Sequence, residues 1–284
     1  GRRHQRAIGW ALLLLGLHGT GCRPGAHAGL TAGSTPEASR IVDLQGLRQR
    51  HQGASQCAGC HPDQYRDWTT SFHARSLITE GFRKGFGRFV ASRKDQGQGG
   101  RDVPMACFGC HAPLLEEADD RAVNEVASLV LAGQERDLAG LEVGCVACHR
   151  GETGVFQGPI DHPVSNPAHA SAYAPVYERA QACAGCHAWV PPAVACSTVY
   201  NDWEHSQAAQ EGKPCQSCHM AERSAEAASG EPRRTIHAHA FPGGRSADIL
   251  GRSVELKLDA AFVEDELRVT ASIRNLAAHR IPDG

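Results

Sequence analysis

Apolar residues are unevenly spread along this chain, and their period changes from one stretch to the next. Ile8 to Leu17 is an unbroken apolar run behind the basic start Gly1-Arg-Arg-His-Gln-Arg6. The run is too short to cross a bilayer and predicts an export signal. Between Glu116 and Ala132, Val123, Val126, Ala127 and Val130 recur on one face behind an acidic start, and Gly133 follows. That is the pattern of an amphipathic helix with its acids at the N-terminal end. Beyond Pro242-Gly243-Gly244 the period becomes two: Val254, Leu256 and Leu258 alternate with polar residues, and Leu267, Val269, Ala271 and Ile273 do the same past Glu264-Asp265. These are two strands of a hairpin. Gly81 to Arg88, continuing to Gly100, is glycine-rich and basic and reads as a loop, either solvated or docking propionates or an acidic partner. Pro159, Pro163, Pro167 and Pro175 exclude a long helix in their stretch.

Composition weakens the case for an ordinary core. Of 284 residues 41% are hydrophobic, but only eight are Phe, four Trp and four Tyr, against 31 Gly and 15 Pro. A net charge of −2 and a pI near 6.8 exclude a basic nucleic-acid binder.

Cysteine changes the picture most. Ten of the twelve fall in five copies of Cys-x-x-Cys-His: Cys57, Cys60 and His61; Cys107, Cys110 and His111; Cys145, Cys148 and His149; Cys183, Cys186 and His187; Cys215, Cys218 and His219. Two thiols at this spacing add to the two vinyl groups of one porphyrin, and the adjoining imidazole turns onto the iron. A zinc or disulfide framework would leave the histidine after every second cysteine unexplained. The expectation is five covalent c-type haems. Porphyrins would supply the missing apolar bulk, so the expected fold is mainly α with abundant loops wrapped around a haem stack, plus a C-terminal β-hairpin beginning a small sandwich-like domain.

Covalent haem implies export, to the periplasm or outer cell envelope. Gly19-Thr20-Gly21-Cys22 looks like a lipobox, with Gly19 in place of the usual Leu; Ala26-His27-Ala28 is a competing cleavage site. The lipobox lies nearer the apolar run and explains Cys22, which would then tether the protein to a membrane. Residues 1–21 read as a lipoprotein-type signal and 22–40 as a flexible linker. The pentahaem domain is expected over 41–245, and 246–284 as the start of a β-domain that continues further. The chain lacks an initiator Met, so residues are expected in front of Gly1. Cys196 reads as a small buried residue, or as a disulfide partner of an unlipidated Cys22.

The second axial ligand separates a carrier from a catalyst, because a haem closed by two histidines exchanges electrons while an open face binds small molecules. Only Met105 and Met220 offer thioethers, and Met220 adjoins a proximal histidine. Of sixteen histidines, His51, His73, His162, His169, His205, His237, His239 and His279 remain for that role.

Tyr65-Arg-Asp-Trp68-Thr-Thr-Ser71-Phe-His73-Ala74 resembles the Tyr-x-x-Trp-x-x-Ser-x-His-Ala stretch of the cytochrome c-554-like multihaem cytochromes. Gly158-Pro159 with His169, and His239-Ala-Phe-Pro-Gly-Gly244, are similar to their distal-ligand segments. Asn275 to Gly284 resembles their signature ending Gly-His-x-x-Pro-Thr-Gly, with Ala278 for Gly and Asp283 for Thr. The resemblance implies that His73, His169, His239 and His279 are distal ligands. A second copy, Tyr200-Asn-Asp-Trp203-Glu-His205-Ser206-Gln-Ala208, has Ala208 where the ligand aligns, and His205 displaced from it. His205, His51, His162 or His237 completes the set, or one haem keeps an open face.

The leading expectation is a multihaem electron carrier whose partners are other cytochromes, a quinol-linked donor or a terminal reductase, with no nucleic acid and no catalytic residues. The alternative is a reductase or oxidase of nitrite, hydroxylamine or nitric oxide at one open haem, although no Cys-x-x-Cys-Lys motif is present. A structural subunit of a larger cytochrome array is a third reading.

Overall fold

The computed structural model describes residues 43–51, 53–151, 154–160, 165–166, 168–188 and 198–281. The signal, Cys22, His162 and Cys196 lie outside them. Helices dominate the first half: α1 (Leu44–Arg50), α2 (Ala54–Cys57), α3 (Pro62–Thr70), α4 (Glu80–Asp95), α5 (Asp102–His111), α6 (Asp120–Ala132), α7 (Glu135–Leu138) and α8 (Cys145–His149). A small sheet follows, in which β3 (His169–Tyr173) lies between a parallel β1 (Phe156–Gly158) and an antiparallel β2 (Ser165–Asn166). Then come α9 (Gln181–His187), α10 (Val199–Glu204), α11 (Gln207–Gln210), α12 (Cys215–His219), the β4–β5 hairpin (Glu222–Glu226, Arg233–His237), α13 (Ala247–Ser253) and the β6–β7 hairpin (Val254–Val263, Glu266–Asn275). Among the described residues no helix is long and apolar enough to cross a membrane.

One hydrophobic cluster holds the helical half. It gathers Leu44 and Leu47 of α1, Leu77, Phe86 of α4, Phe108 of α5, Leu115, and Val123, Val126 and Val130 of α6. The helix expected from Glu116 starts later. Pro113–Glu117 forms a 3₁₀ turn, and Asp119 caps α6 by accepting from the Ala122 N–H at 3.0 Å. It ends as expected at Gly133, whose φ of 68° is the left-handed conformation that glycine adopts at a helix end.

The basic loop expected over residues 81–100 is a helix as far as Asp95. Thr79 caps α4, and Phe82, Phe86 and Val90 fall four residues apart on the face turned to the cluster. Burial of that stripe outweighs the helix cost of Gly81, Gly85 and Gly87, about 1 kcal/mol each relative to alanine. Only Gln96 to Gly100 is irregular.

The C-terminal hairpin forms around Glu264-Asp265 as expected. Leu256 pairs with Ile273, Leu258 with Ala271 and Phe262 with Leu267, and in the two-residue turn Glu264 and Asp265 have φ of 50° and 67°.

Candidate functional site

A cysteine, a second cysteine three residues on and a histidine next to it fall on one side of a single helical turn. α5, α8, α9 and α12 each end on the histidine of such a motif; the first motif runs from the end of α2 to His61, the residue ahead of α3. Short helices suffice because the motif itself is one turn long.

Four of the five motif histidines each face a histidine far away in sequence. Ring centroids are 6.2 Å apart for His61 and His169, 6.4 Å for His187 and His73, 6.1 Å for His149 and His239, and 6.2 Å for His219 and His279. That separation is the fit test for an iron between them. Two metal–imidazole bonds of about 2.0 Å put the nitrogens about 4 Å apart, and the ring centres, about 1.1 Å further out on each side, about 6.2 Å apart. Direct stacking would bring the rings closer. The residues present fit the group.

Imidazole orientation agrees. His61 Nδ1–H donates to Ala227 O at 2.7 Å, His111 to Ser76 O at 2.9 Å, His149 to Gln157 O at 2.7 Å and His219 to Pro242 O at 2.7 Å. On the facing side His239 donates to His237 O and His279 to Arg280 O, each at 2.9 Å. With Nδ1 holding the proton, the Nε2 lone pair is free for a metal. Burial pushes His73 and His239 down to about 4, with His187 and His149 respectively adding to the effect, so both are neutral at neutral pH. His111 and His149 are lowered as well, burial being the main cause.

The fifth motif histidine differs. The ring against His111 is that of Phe82, at 4.2 Å and 26°, and behind it Phe86 and Phe108 continue a stacked ladder at 5.7 and 5.0 Å. Among the described residues no histidine stands opposite His111 at the spacing of the other four pairs. Met105 packs against the hydrophobic cluster instead.

Residues 56–151 match the family model of cytochrome c554 and c-prime. The fold is similar to that of a penta-haem cytochrome c552 from Thermochromatium tepidum, with a TM-score of 0.54 and 23% identity over 82% of this chain and 67% of that one. No curated protein matches the sequence. Over residues 56–151 the chain is similar to a multihaem c-type cytochrome family, and its fold is that of a penta-haem cytochrome.

The five motifs approach one another through their cysteines. The side chains of Cys57 and Cys145, of Cys110 and Cys186 and of Cys183 and Cys215 lie close together, which brings the first motif beside the third, the second beside the fourth and the fourth beside the fifth. Cys148 lies near enough to Cys186 to feel its charge, linking third to fourth. Two further residues tie neighbouring sites. Ser76, three residues past His73, receives the His111 Nδ1–H on its carbonyl and donates its hydroxyl to His111 O at 2.8 Å. Phe241, at φ 45°, sets its ring edge-on to His73 at 4.5 Å and to His239 at 5.8 Å. A bulky residue holds that backbone only under tight constraint.

Three histidines considered as ligands sit elsewhere. His205 is exposed, its Nδ1–H donating to Asn201 O at 2.7 Å, and among the described residues no motif histidine faces it. His237 donates to Met220 O at 2.9 Å. His51 is buried, and both ring nitrogens are engaged. Arg150 donates to its Nδ1 at 2.7 Å, and its Nε2 lies 3.0 Å from Glu117 Oε2. Among the described residues no group of three or more His, Cys, Asp or Glu converges as a metal site, as the zinc reading would need.

Sequence reasoning passed over the use of His51, since nothing local joins it to Glu117 and Arg150. His51→Ala is expected to cost about 1–3 kcal/mol by stranding a partly buried carboxylate, read as a lower melting midpoint with an unaltered visible spectrum. The hydrogen bond from His51 is the chief cause holding the Glu117 carboxyl below its ordinary value. Its contribution is therefore complete above the ordinary carboxylate range and lost as pH falls through it, so the midpoint difference between parent and variant should shrink in acid.

Proposed function

We propose that this chain carries electrons in the periplasm or outer cell envelope through five covalent haems. The observation that supports it best is the set of four histidine pairs at about 6.2 Å, each built from one motif histidine and one remote histidine. Haems held there would supply one-electron exchange. The chain supplies the rest. Its cysteines fix each attachment point, its backbone carbonyls orient the imidazoles, and burial favours the neutral form of His73, His111, His149 and His239. Neighbouring motifs make the five sites one connected series, in which the fourth motif, Cys183–His187, adjoins the second, third and fifth. Transient redox partners would dock where a haem edge reaches the surface. Those partners are other cytochromes, a quinol-linked donor or a terminal reductase, and lipidated Cys22 would keep the protein at a membrane.

The His111 site, bounded by phenylalanines and lacking a facing histidine among the described residues, favours a second reading for that position: an open face able to bind nitric oxide, hydroxylamine or nitrite.

The test is one preparation of exported holoprotein. Its mass is expected to exceed the bare polypeptide by five haems, and its paramagnetic spectrum to show low-spin signals plus one high-spin signal that shifts with cyanide or nitric oxide. A colourless product of bare mass overturns the carrier. A wholly low-spin spectrum, indifferent to cyanide, overturns the open site and leaves the carrier standing.

A further inference from the structure

Both copies of the Tyr-x-x-Trp word carry aspartate ahead of the tryptophan: Tyr65-Arg66-Asp67-Trp68 and Tyr200-Asn201-Asp202-Trp203. They fold alike. Tyr65 and Trp68 stand 5.8 Å apart at 33°, Tyr200 and Trp203 5.6 Å apart at 43°. Each tryptophan donates Nε1–H over 2.9 Å to a backbone carbonyl two residues ahead of a haem motif: Trp68 to Val143, before Cys145, and Trp203 to Lys213, before Cys215.

The aspartates reach the other way. Asp67 accepts from the backbone N–H of His239 at 3.1 Å and pairs with Arg223 at 2.8 Å. Asp202 accepts from the backbone N–H of Arg280, the residue after His279, at 3.1 Å and from its guanidinium Nε at 2.8 Å. The partners match site by site. Trp68 anchors the motif of His149 while Asp67 anchors His239, which faces His149; Trp203 anchors the motif of His219 while Asp202 anchors the strand end of His279, which faces His219. The other two pairs have no such unit: their facing histidines are His169 on β3 and His73 on a 3₁₀ turn.

We propose that Tyr-x-Asp-Trp is a repeated clamp that sets the gap between the two imidazoles of one haem site, with Asp67 and Asp202 as positioning residues for His239 and His279. This rests on the axial-ligand reading above. Both aspartate contacts are charge-assisted hydrogen bonds, the strong kind. The Asp67 side chain is only 13% exposed, so water competes weakly there; that of Asp202 is 24% exposed, and an arginine pairs with the charge in both. Residues that orient metal ligands from behind change metal affinity by about 10- to 100-fold when removed.

The experiment compares holoprotein of the parent with Asp67→Ala, Asp67→Asn, Asp202→Ala and His239→Ala by paramagnetic and visible spectroscopy during cyanide uptake. Asp67→Ala is expected to speed cyanide binding at one low-spin haem at least about tenfold, and Asp202→Ala at a different one, while Asp67→Asn, which keeps an acceptor for the His239 N–H, restores most of the parent rate. Parent rates and spectra in both alanine variants overturn the clamp. His239→Ala separates the two levels. If it yields a high-spin haem and Asp67→Ala changes nothing, the clamp fails and the ligand reading stands; if it leaves every haem low-spin, the ligand reading itself fails. Should Asp67→Ala not fold, Asp67→Asn and the more exposed Asp202→Ala decide, and parent behaviour in Asp202→Ala overturns the proposal.

Discussion

His73→Ala is expected to turn one low-spin haem into a high-spin one, with the other paired sites unchanged. His73 and His187 have ring centres 6.4 Å apart, and the Phe241 ring lies edge-on 4.5 Å from His73. Alanine removes the only imidazole that faces His187 among the described residues, and no thioether stands ready to replace it. Burial holds His73 down to about 4, so the imidazole it contributes is neutral. Adding free imidazole should restore the low-spin signal, because the lost group is small and its cavity is lined for it. The effect should also reach the second motif, since Ser76, on the turn that follows His73, orients His111. A small shift of the high-spin signal assigned to His111 is the expected sign of that link. His205→Ala is the control: exposed and bonded only to its own helix, it should leave every spectrum unchanged and stability within about 0.5 kcal/mol. An unaltered low-spin spectrum in His73→Ala would remove this residue from the ligand set.

What the sequence could disclose was decided by locality. The motif cysteines and histidines are fixed by adjacency, so all five single-turn sites were legible. The β6–β7 register was legible too, because the alternation on both sides of Glu264-Asp265 leaves one pairing that puts Leu256, Leu258 and Phe262 on the same face as Ile273, Ala271 and Leu267. His73, His169, His239 and His279 were marked by the words around them, but which motif each would face was not. His169 meets His61 while the adjacent motif meets other residues, a pairing that only the path of the chain decides.

Two other features hid for different reasons. α4 carries glycines and five basic residues within Glu80–Asp95, and these mask a stripe of only three inward positions, Phe82, Phe86 and Val90. The β4–β5 hairpin has no period of two in its apolar residues, yet it straps the structure: past β4, Ala227 O receives the His61 Nδ1–H, and Arg223 on β4 meets Asp67. No segment of local sequence announces a contact whose partner is over a hundred residues away. The displaced His205 shows the converse. The repeated word kept its tyrosine, aspartate, tryptophan and serine but lost the histidine at Ala208, and the unit that remained holds a ligand from the far end of the chain, His279, in place.

Phe86→Ala is expected to be the most damaging substitution in the helical half. Phe86 is 2% exposed, stacked between Phe82 at 5.7 Å and Phe108 at 5.0 Å. Deleting a buried phenylalanine costs about 3–5 kcal/mol, the transfer loss plus the cavity it leaves, a large share of the 5–15 kcal/mol by which domains are typically stable. Phe108 lies between Cys107 and Cys110, and Phe82 stacks on His111, so one neighbour of the cavity belongs to the second haem motif and the other packs on its histidine. Loss of Phe86 should therefore lower the melting midpoint and broaden the high-spin signal of that site, while the signals of the sites at His149 and His219, built on other elements, keep their shape. Phe86→Leu keeps most of the volume and should cost much less, about 1–2 kcal/mol, separating the loss of packing from the loss of an aromatic face. A high-spin signal untouched in both variants would mean that the ladder supports the fold alone and that Phe82 holds its place against His111 without it.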